Sequence, residues 1–162
     1  MAYPTLEQYN EALQHPQTAF FDSELKMGNV STTGLGLPLA LCGGFALTYS
    51  LQCAGKKYAV RCFHKQSNLI ESRYKAISNK IGQLRSPYFV HFEFQNTGIK
   101  VSGQTAPIVK MMWASGETLG EFIEGNYRKR DKLSSLRNSL QSLARFLEEK
   151  GIAHGDIQPG NV

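Results

Sequence analysis

The sequence predicts an α+β lobe followed by the start of a helical one, and three observations carry that reading. Short strand-like pieces crowd residues 39–63 around glycine turns. Two stretches, 68–84 and 131–150, repeat apolar residues at helical spacing. Between and after them the elements run helix, three strands, helix, two or three strands, helix, helix, which separates a sheet from the closing helices. The 162 residues are 41% hydrophobic and 10% aromatic, enough for a core without staples and unlike a disordered chain.

The first helix is signalled by Thr5 and Gln8, a capping-box pair, with Leu6, Tyr9 and Leu13 on one face. Pro16 is expected to end it, and a loop rich in Gly, Ser, Thr and Asn then runs to about Pro38. LALCGGFALTYSLQ holds a Gly-Gly turn, CAGKK a second reversal at Gly55, and KYAVRCF a strand. Ile70, Tyr74, Ile77, Ile81 and Leu84 make one apolar stripe, with Asn68 as N-cap and Glu71 three residues on as its capping partner. After Pro87, YFVHFEF reads as a strand that NTG turns back into IKV, and PIVKMMW as a buried strand. SGETLGEFIEG gives a short helix. The last helix, Asp131 to Lys150, aligns Leu133, Leu136, Leu140, Leu143 and Leu147 in a seam and stops at Gly151.

Composition excludes several classes. No stretch is long and apolar enough to span a membrane, and the N-terminus lacks a basic region followed by an apolar block, so a cytoplasmic protein is expected. Cys42, Cys53 and Cys62 are odd in number and lack CxxC spacing, which reads as reduced thiols and not a disulfide frame or zinc site. The net charge of +5 is modest. Its densest run, Arg128, Lys129, Arg130 and Lys132, reads as a solvated helix start in preference to a binding patch, and no nucleic-acid partner is expected.

The chemistry gathers at the end of the chain, in Ile152-Ala-His154-Gly155-Asp156-Ile-Gln158-Pro159-Gly160-Asn161-Val162. An Asp and an Asn five apart on a loop after an apolar helix suit phosphoryl transfer: the carboxylate orients or deprotonates a hydroxyl, and the amide oxygen ligates Mg²⁺. The competing reading is a surface loop whose Asp and Asn cap local turns. HGDIQPGN resembles the catalytic loop of the protein kinase-like superfamily, in its HGD variant. Three further segments match in order: LCGGFALTY resembles the glycine-rich nucleotide loop, YAVRCF the strand bearing the ATP-contacting lysine, and VKMMWASGETL the hinge. Together with GLPLALCGGFALTYSL, ESRY and SPYFVHFEF they look like a group of bacterial serine/threonine kinase-like proteins, over roughly Leu39 to Val162.

The resemblance implies a kinase-like N-lobe, an antiparallel sheet of about five strands with one helix on it, followed by the first helices of a helical C-lobe. Residues 1–38 would be an N-terminal extension, 39–113 the N-lobe, and 114–162 the hinge and the start of the C-lobe. It implies that Gly43 and Gly44 approach the phosphates of ATP, that Phe45 folds over them, and that Tyr49 continues the strand. Leu41 and Ala46 stand where the family has glycines. Arg61 takes the place of the family lysine, in Ala59-Val60-Arg61, and Glu71 is the sole carboxylate on the following helix that could pair with it. Met111, Met112, Trp113 and Ala114 would line the adenine pocket, with Met111 as gatekeeper. Asp156 would be the catalytic base or hydroxyl-orienting group and Asn161 the Mg²⁺ ligand. Gln158 replaces a lysine that contacts the transferred phosphate, and His154 would be a structural hydrogen-bonder.

What this implies in function is the ATP–Mg²⁺-binding part of a serine/threonine protein kinase acting on a protein hydroxyl. The family's second metal carboxylate would lie beyond Val162, so 162 residues are expected to be a piece of a longer kinase and inactive alone. Arg61 and the missing glycines keep a second reading open, a pseudokinase that binds nucleotide or only a protein partner. A small-molecule phosphotransferase is a third. A dimer through the leucine seam of the last helix is also expected.

Overall fold

The computed structural model describes residues 3–65, 69–155 and 157–160. The chain divides into two compact units, Met1–Ala114 and Ser115–Val162.

In the first unit the Thr5 capping box forms as expected and opens α1 (Leu6–Leu13), with Tyr9 and Leu13 buried. The helix stops just before Pro16, as expected, but no loop follows directly. Pro16 opens α2 (Pro16–Ala19) at the first helical position, where the missing N–H breaks no bond. Asp22 caps α3 (Ser23–Lys26), its carboxylate accepting from the Glu24 and Leu25 amides at 2.9 and 3.0 Å. A strand, β1 (Asn29–Val30), follows. The stretch expected to be a loop thus holds two one-turn helices and a strand, all too short to leave a periodicity.

Five further strands complete an antiparallel sheet: β2 (Ala40–Cys42), β3 (Ala46–Cys53), β4 (Lys56–Phe63), β5 (Phe92–Val101) and β6 (Gln104–Met112). Their order is β1-β3-β4-β6-β5, with β2 also on β3. Since β4 pairs along all of β3, β1 and β2 occupy its other edge in succession, opposite Leu51–Gln52 and Leu47–Tyr49. The molecule is therefore α+β, with a six-stranded antiparallel sheet. Both expected reversals occur: Gly43 N–H donates to Ala46 O at 2.9 Å, and Ala54–Gly55 take positive φ (43° and 84°) in the two-residue loop that right-handed strand twist favours.

The NTG segment is not a turn. β5 runs straight through it, and the chain reverses at Ser102–Gly103, whose φ values are 49° and 80°. Gln95 pairs with Ile108 and Ile99 with Ala106, so residues 96–98 face Pro107 alone. Proline has no N–H for the ladder, and a bulge opposite it absorbs the missing bond. Gly98 sits in the bulge because a Cβ there would lie 2.2 Å from Ile108 Cγ1. Its carbonyl accepts from Phe21 N–H at 3.2 Å and Phe20 bridges to Ile99, so the bulge is where the α2–α3 link docks.

The sheet is covered on both faces. On one, Tyr9, Leu13, Phe20 and Leu25 close a core with Leu51, Val60, Cys62 and Ile108. On the other, Ala46, Phe63 and Val109 pack with Tyr3, Tyr74, Phe92, Phe94 and Met111. Here α4 (Ile70–Leu84) lies against β5, and Ser78 Oγ donates to Phe92 O and accepts from Phe94 N–H. Tyr74, Ile81 and Leu84 of its stripe are half-buried, whereas Ile77 is exposed. Asn68, the expected N-cap, lies outside the described residues. Leu69 precedes the first helical turn and makes no side-chain cap.

In the second unit Thr118 and Glu121 form a capping box on α5 (Leu119–Asn126). The last helix, α6 (Arg130–Glu149), matches its expected span within one residue, and Gly151 at φ 63° ends it. None of its five seam leucines is exposed: four are half-buried and Leu147 is buried. Gly120 N–H donates to Pro159 O at 3.0 Å, which ties the end of the described chain to α5. Among the described residues no helix is long and apolar enough to cross a membrane.

Candidate functional site

Strand register decides which of the expected residues meet. Arg61 pairs with Thr48 on one side and Val109 on the other, and Val109 with Phe94. One row along, Ala59 pairs with Ser50 and Met111, and Met111 with Phe92. Residues directly opposite each other across a ladder share a face, so Ala59, Arg61 and Met111 lie together on the face that α4 covers. Leu41, opposite Thr48, joins that face in the row of Arg61 with Thr48 between them, and it is exposed. The Gly-Gly turn closes the β2–β3 hairpin level with Phe63, the partner of Ala46. Arg61 is two residues from that level and two from the Ala59–Met111 row, about 7 Å each way.

The guanidinium of Arg61 is held by aromatic groups and not by an acid. Its Nη1 donates to the Tyr74 hydroxyl at 2.8 Å, and its Cζ lies 6.0 Å from the Tyr74 ring centroid. Tyr74 stacks on Phe92 (6.0 Å, 5°) and meets Phe63 edge-on at 5.3 Å. Glu71, the candidate ion-pair partner of Arg61, does not pair with it: it accepts from the Tyr3 hydroxyl, and Tyr3 also packs against Phe63, while the expected capping partner of Glu71, Asn68, lies outside the described residues. Among the described residues no carboxylate pairs with Arg61. A half-buried, permanently charged group therefore stands uncompensated on this face.

Backbone amides divide into committed and open ones. Gly43 N–H is bound to Ala46 O, and its carbonyl lies 3.1 Å from His64 Nε2, so this glycine holds the turn shut. Among the described residues the Gly44 amide has no protein partner. Neither glycine has positive φ, and a Cβ on Gly44 would meet nothing within 4 Å. Phe45 is exposed. In the expected hinge, Met112 N–H donates to His91 O and Trp113 N–H to Lys57 O, both at 2.9 Å, and Lys57 Nζ lies 3.8 Å over the Trp113 ring. Those two amides are closed to a ligand, which leaves Ala114 as the hinge residue whose N–H has no partner among the described residues. Tyr49 continues β3 as expected, but its side chain is buried on the other face and donates to Asn10.

Asp156 and Asn161 lie outside the described residues. His154 and Gln158 are exposed. Among the described residues no three His, Cys, Asp or Glu side chains gather to hold a metal.

One charged cluster has no counterpart in the sequence reading. Lys110, next to Val109 on β6 and so on the opposite face, is 4% exposed. Its ammonium donates to both Asp22 oxygens at 3.0 and 2.9 Å and to Glu24 Oε2 at 2.6 Å. Tyr58 and Lys56 also donate to Glu24, and Gln95 to Asp22. Burial alone would lower the Lys110 pKa, but its bonds to Glu24 and Asp22 outweigh this and raise it. The Lys110 bond, helped by Tyr58 and Lys56, brings Glu24 down to about 2. The partners are 86 and 88 residues apart, so no local spacing signals the cluster.

No protein-family model matches this chain, and no curated protein or solved structure matches it.

Proposed function

We propose that the chain is the nucleotide-binding part of a protein kinase-like phosphotransferase, with Arg61 as the group that binds the phosphates of ATP. The observation that carries this reading is the uncompensated guanidinium of Arg61, midway between a glycine turn with an open amide and the apolar row of Ala59 and Met111. Its supports are chemical. A guanidinium without an acid partner in partly desolvated surroundings binds a polyphosphate better than one already neutralised. Apolar Leu41, Ala59 and Met111 offer a surface to a purine ring, and the Ala114 amide a hydrogen bond. The order glycine turn, cation strand, helix, hairpin, hinge is the order the resemblance implies. In this proposal Asp156 orients or deprotonates a protein hydroxyl, and Asn161 would be the residue that holds Mg²⁺, whose chemistry is to neutralise the transferred phosphate.

The second reading, a pseudokinase that binds nucleotide or serves as a scaffold, is favoured by one observation: Glu71 is engaged by Tyr3 and does not support Arg61. Thermal denaturation with millimolar ATP and Mg²⁺ separates a nucleotide binder from a scaffold. The first expects a rise in Tm for the full chain that Arg61→Ala removes, because a ligand a hundredfold above its Kd stabilises by about 2.7 kcal/mol. No rise sinks the nucleotide reading. Where the complete protein turns over ATP, Asp156→Asn is expected to abolish turnover, and turnover that survives it removes that carboxylate from the reaction.

A further inference from the structure

We infer that the concavity at the start of α6 is a docking site for a phosphorylated segment of a protein partner. It is a shallow hollow, open to solvent, of about 330 Å³, lined by Tyr127, Arg128, Arg130, Leu133, Ser134 and Arg137. Arg130, Ser134 and Arg137 recur at i, i+4 and i+7 and so share one face of α6. Arg130 and Arg137 stand about 10 Å apart along the axis, with the Ser134 hydroxyl between them. Arg128 adds a third guanidinium from the preceding turn, its Cζ 5.1 Å from the Tyr127 ring centroid.

These cations lack local compensation. Between Gly125 and Leu147 the sequence carries six Lys and Arg residues and one acid, Asp131, which does not line the concavity. Among the described residues none of the three guanidinium groups is paired with a carboxylate. A merely solvated helix face interleaves both signs at i,i+4 spacing, whereas this one stacks a single sign around a hollow. Like charges so placed repel one another, and an anion bound among them relieves that repulsion.

The chemistry favours phosphate over a lone carboxylate. Guanidinium groups bind phosphate oxygens in bidentate fashion, and a dianion neutralises more of a three-arginine site than a monoanion does. It favours an anchor carried by a larger molecule, because all lining residues are exposed except half-buried Leu133. A small free anion gains too little burial on so open a surface, whereas a peptide adds contacts around the hollow.

The test is fluorescence anisotropy of the full chain with a labelled degenerate heptapeptide library centred on phosphoserine, beside the same library centred on serine. Expected is binding at least about tenfold tighter for the phosphoserine library at low salt, falling as salt rises. The Arg130→Ala, Arg137→Ala double variant is expected to lose about tenfold, with its helical circular dichroism unchanged. If that variant loses helix, Arg137→Lys keeps charge and helix propensity, and a drop in affinity there still supports bidentate capture. Equal binding of the two libraries, no binding, or inorganic phosphate binding as tightly as the peptides would overturn the proposal. So would tighter binding of a random single-stranded oligonucleotide.

Discussion

Arg61 donates to the hydroxyl of Tyr74 across the gap between β4 and α4, at 2.8 Å, and this bond takes the place that an ion pair with Glu71 would have filled. A hydroxyl accepts without cancelling charge, so the arginine is oriented and stays electropositive. The rings beneath it, Phe63 and Phe92, fix Tyr74 and through it the guanidinium.

Separating the ring from the hydroxyl of Tyr74 tests that arrangement. Tyr74→Phe keeps the stack and the edge contact, and is expected to cost under about 1 kcal/mol in chemical denaturation. Tyr74→Ala removes half-buried ring contacts with both phenylalanines and is expected to cost about 2–3 kcal/mol. Equal costs would mean that the ring platform contributes nothing. In the nucleotide reading Tyr74→Phe also narrows the ATP-induced rise in Tm without abolishing it.

A different kind of constraint operates at Gly98. The Cβ of an alanine there would lie 2.2 Å from Ile108 Cγ1, a distance no relaxed side chain tolerates. Gly98→Ala is expected to cost about 2–3 kcal/mol, with loss of the Phe21 dock as the bulge shifts. In the Gly98→Ala, Ile108→Ala double variant the removed branch makes room, so its cost is expected to fall short of the sum of the two single costs by about 1 kcal/mol or more. Strict additivity in a denaturant double-mutant cycle would show that the clash is absorbed elsewhere.

Much of this fold is readable because its elements announce themselves locally. Thr5 with Gln8 and Thr118 with Glu121 mark helix starts within four residues, and the leucine spacing fixes α6. The errors lie where the decisive partner is distant. Asn96-Thr97-Gly98 has turn composition, and only Pro107 on the next strand, together with Phe21, makes it a bulge. Residues 15–30 lack periodicity because one-turn helices are too short to show one, yet Phe20 and Leu25 are fully buried. In the candidate site, Ala59, Arg61 and Met111 are legible as a group from their motifs. The loss of the Gly43, Met112 and Trp113 amides to internal hydrogen bonds is not, since backbone pairing across strands leaves no mark on residue identity.

Lys110 should be the costliest single charge to remove. Lys110→Met keeps the length and packing of the stem but leaves Asp22 and Glu24 facing an apolar end. Deleting one member of a buried ion cluster costs about 3–5 kcal/mol, and half-exposed Glu24 puts the expectation near the lower figure. Asp22 keeps its cap on α3 and its bond from Gln95, so the variant is expected to fold. A cost below about 1 kcal/mol in urea would show that water replaces the ammonium without loss.

The same cluster sets the acid response. Bonds from Lys110, Tyr58 and Lys56 hold Glu24 near 2, and although burial alone would raise Asp22, its bonds from Lys110, the Leu25 amide and Gln95 hold it below its ordinary value. A carboxylate depressed by folding stabilises the native state above its unfolded pKa, and that contribution fades as pH falls through the folded one. Stability is therefore expected to hold down to about pH 4.5 and to decline steadily from there toward pH 2. Lys110 acts with the opposite sign: its pKa is raised by folding, so while Asp22 and Glu24 stay ionised its share is held through neutral pH and is lost as pH rises past about 10.5. Removing the ammonium removes the main bond depressing Glu24, so Lys110→Met is expected to flatten the acid limb of a Tm series between pH 5 and 2 relative to the parent chain. Parallel limbs for the two proteins would assign the acid sensitivity to carboxylates outside this cluster.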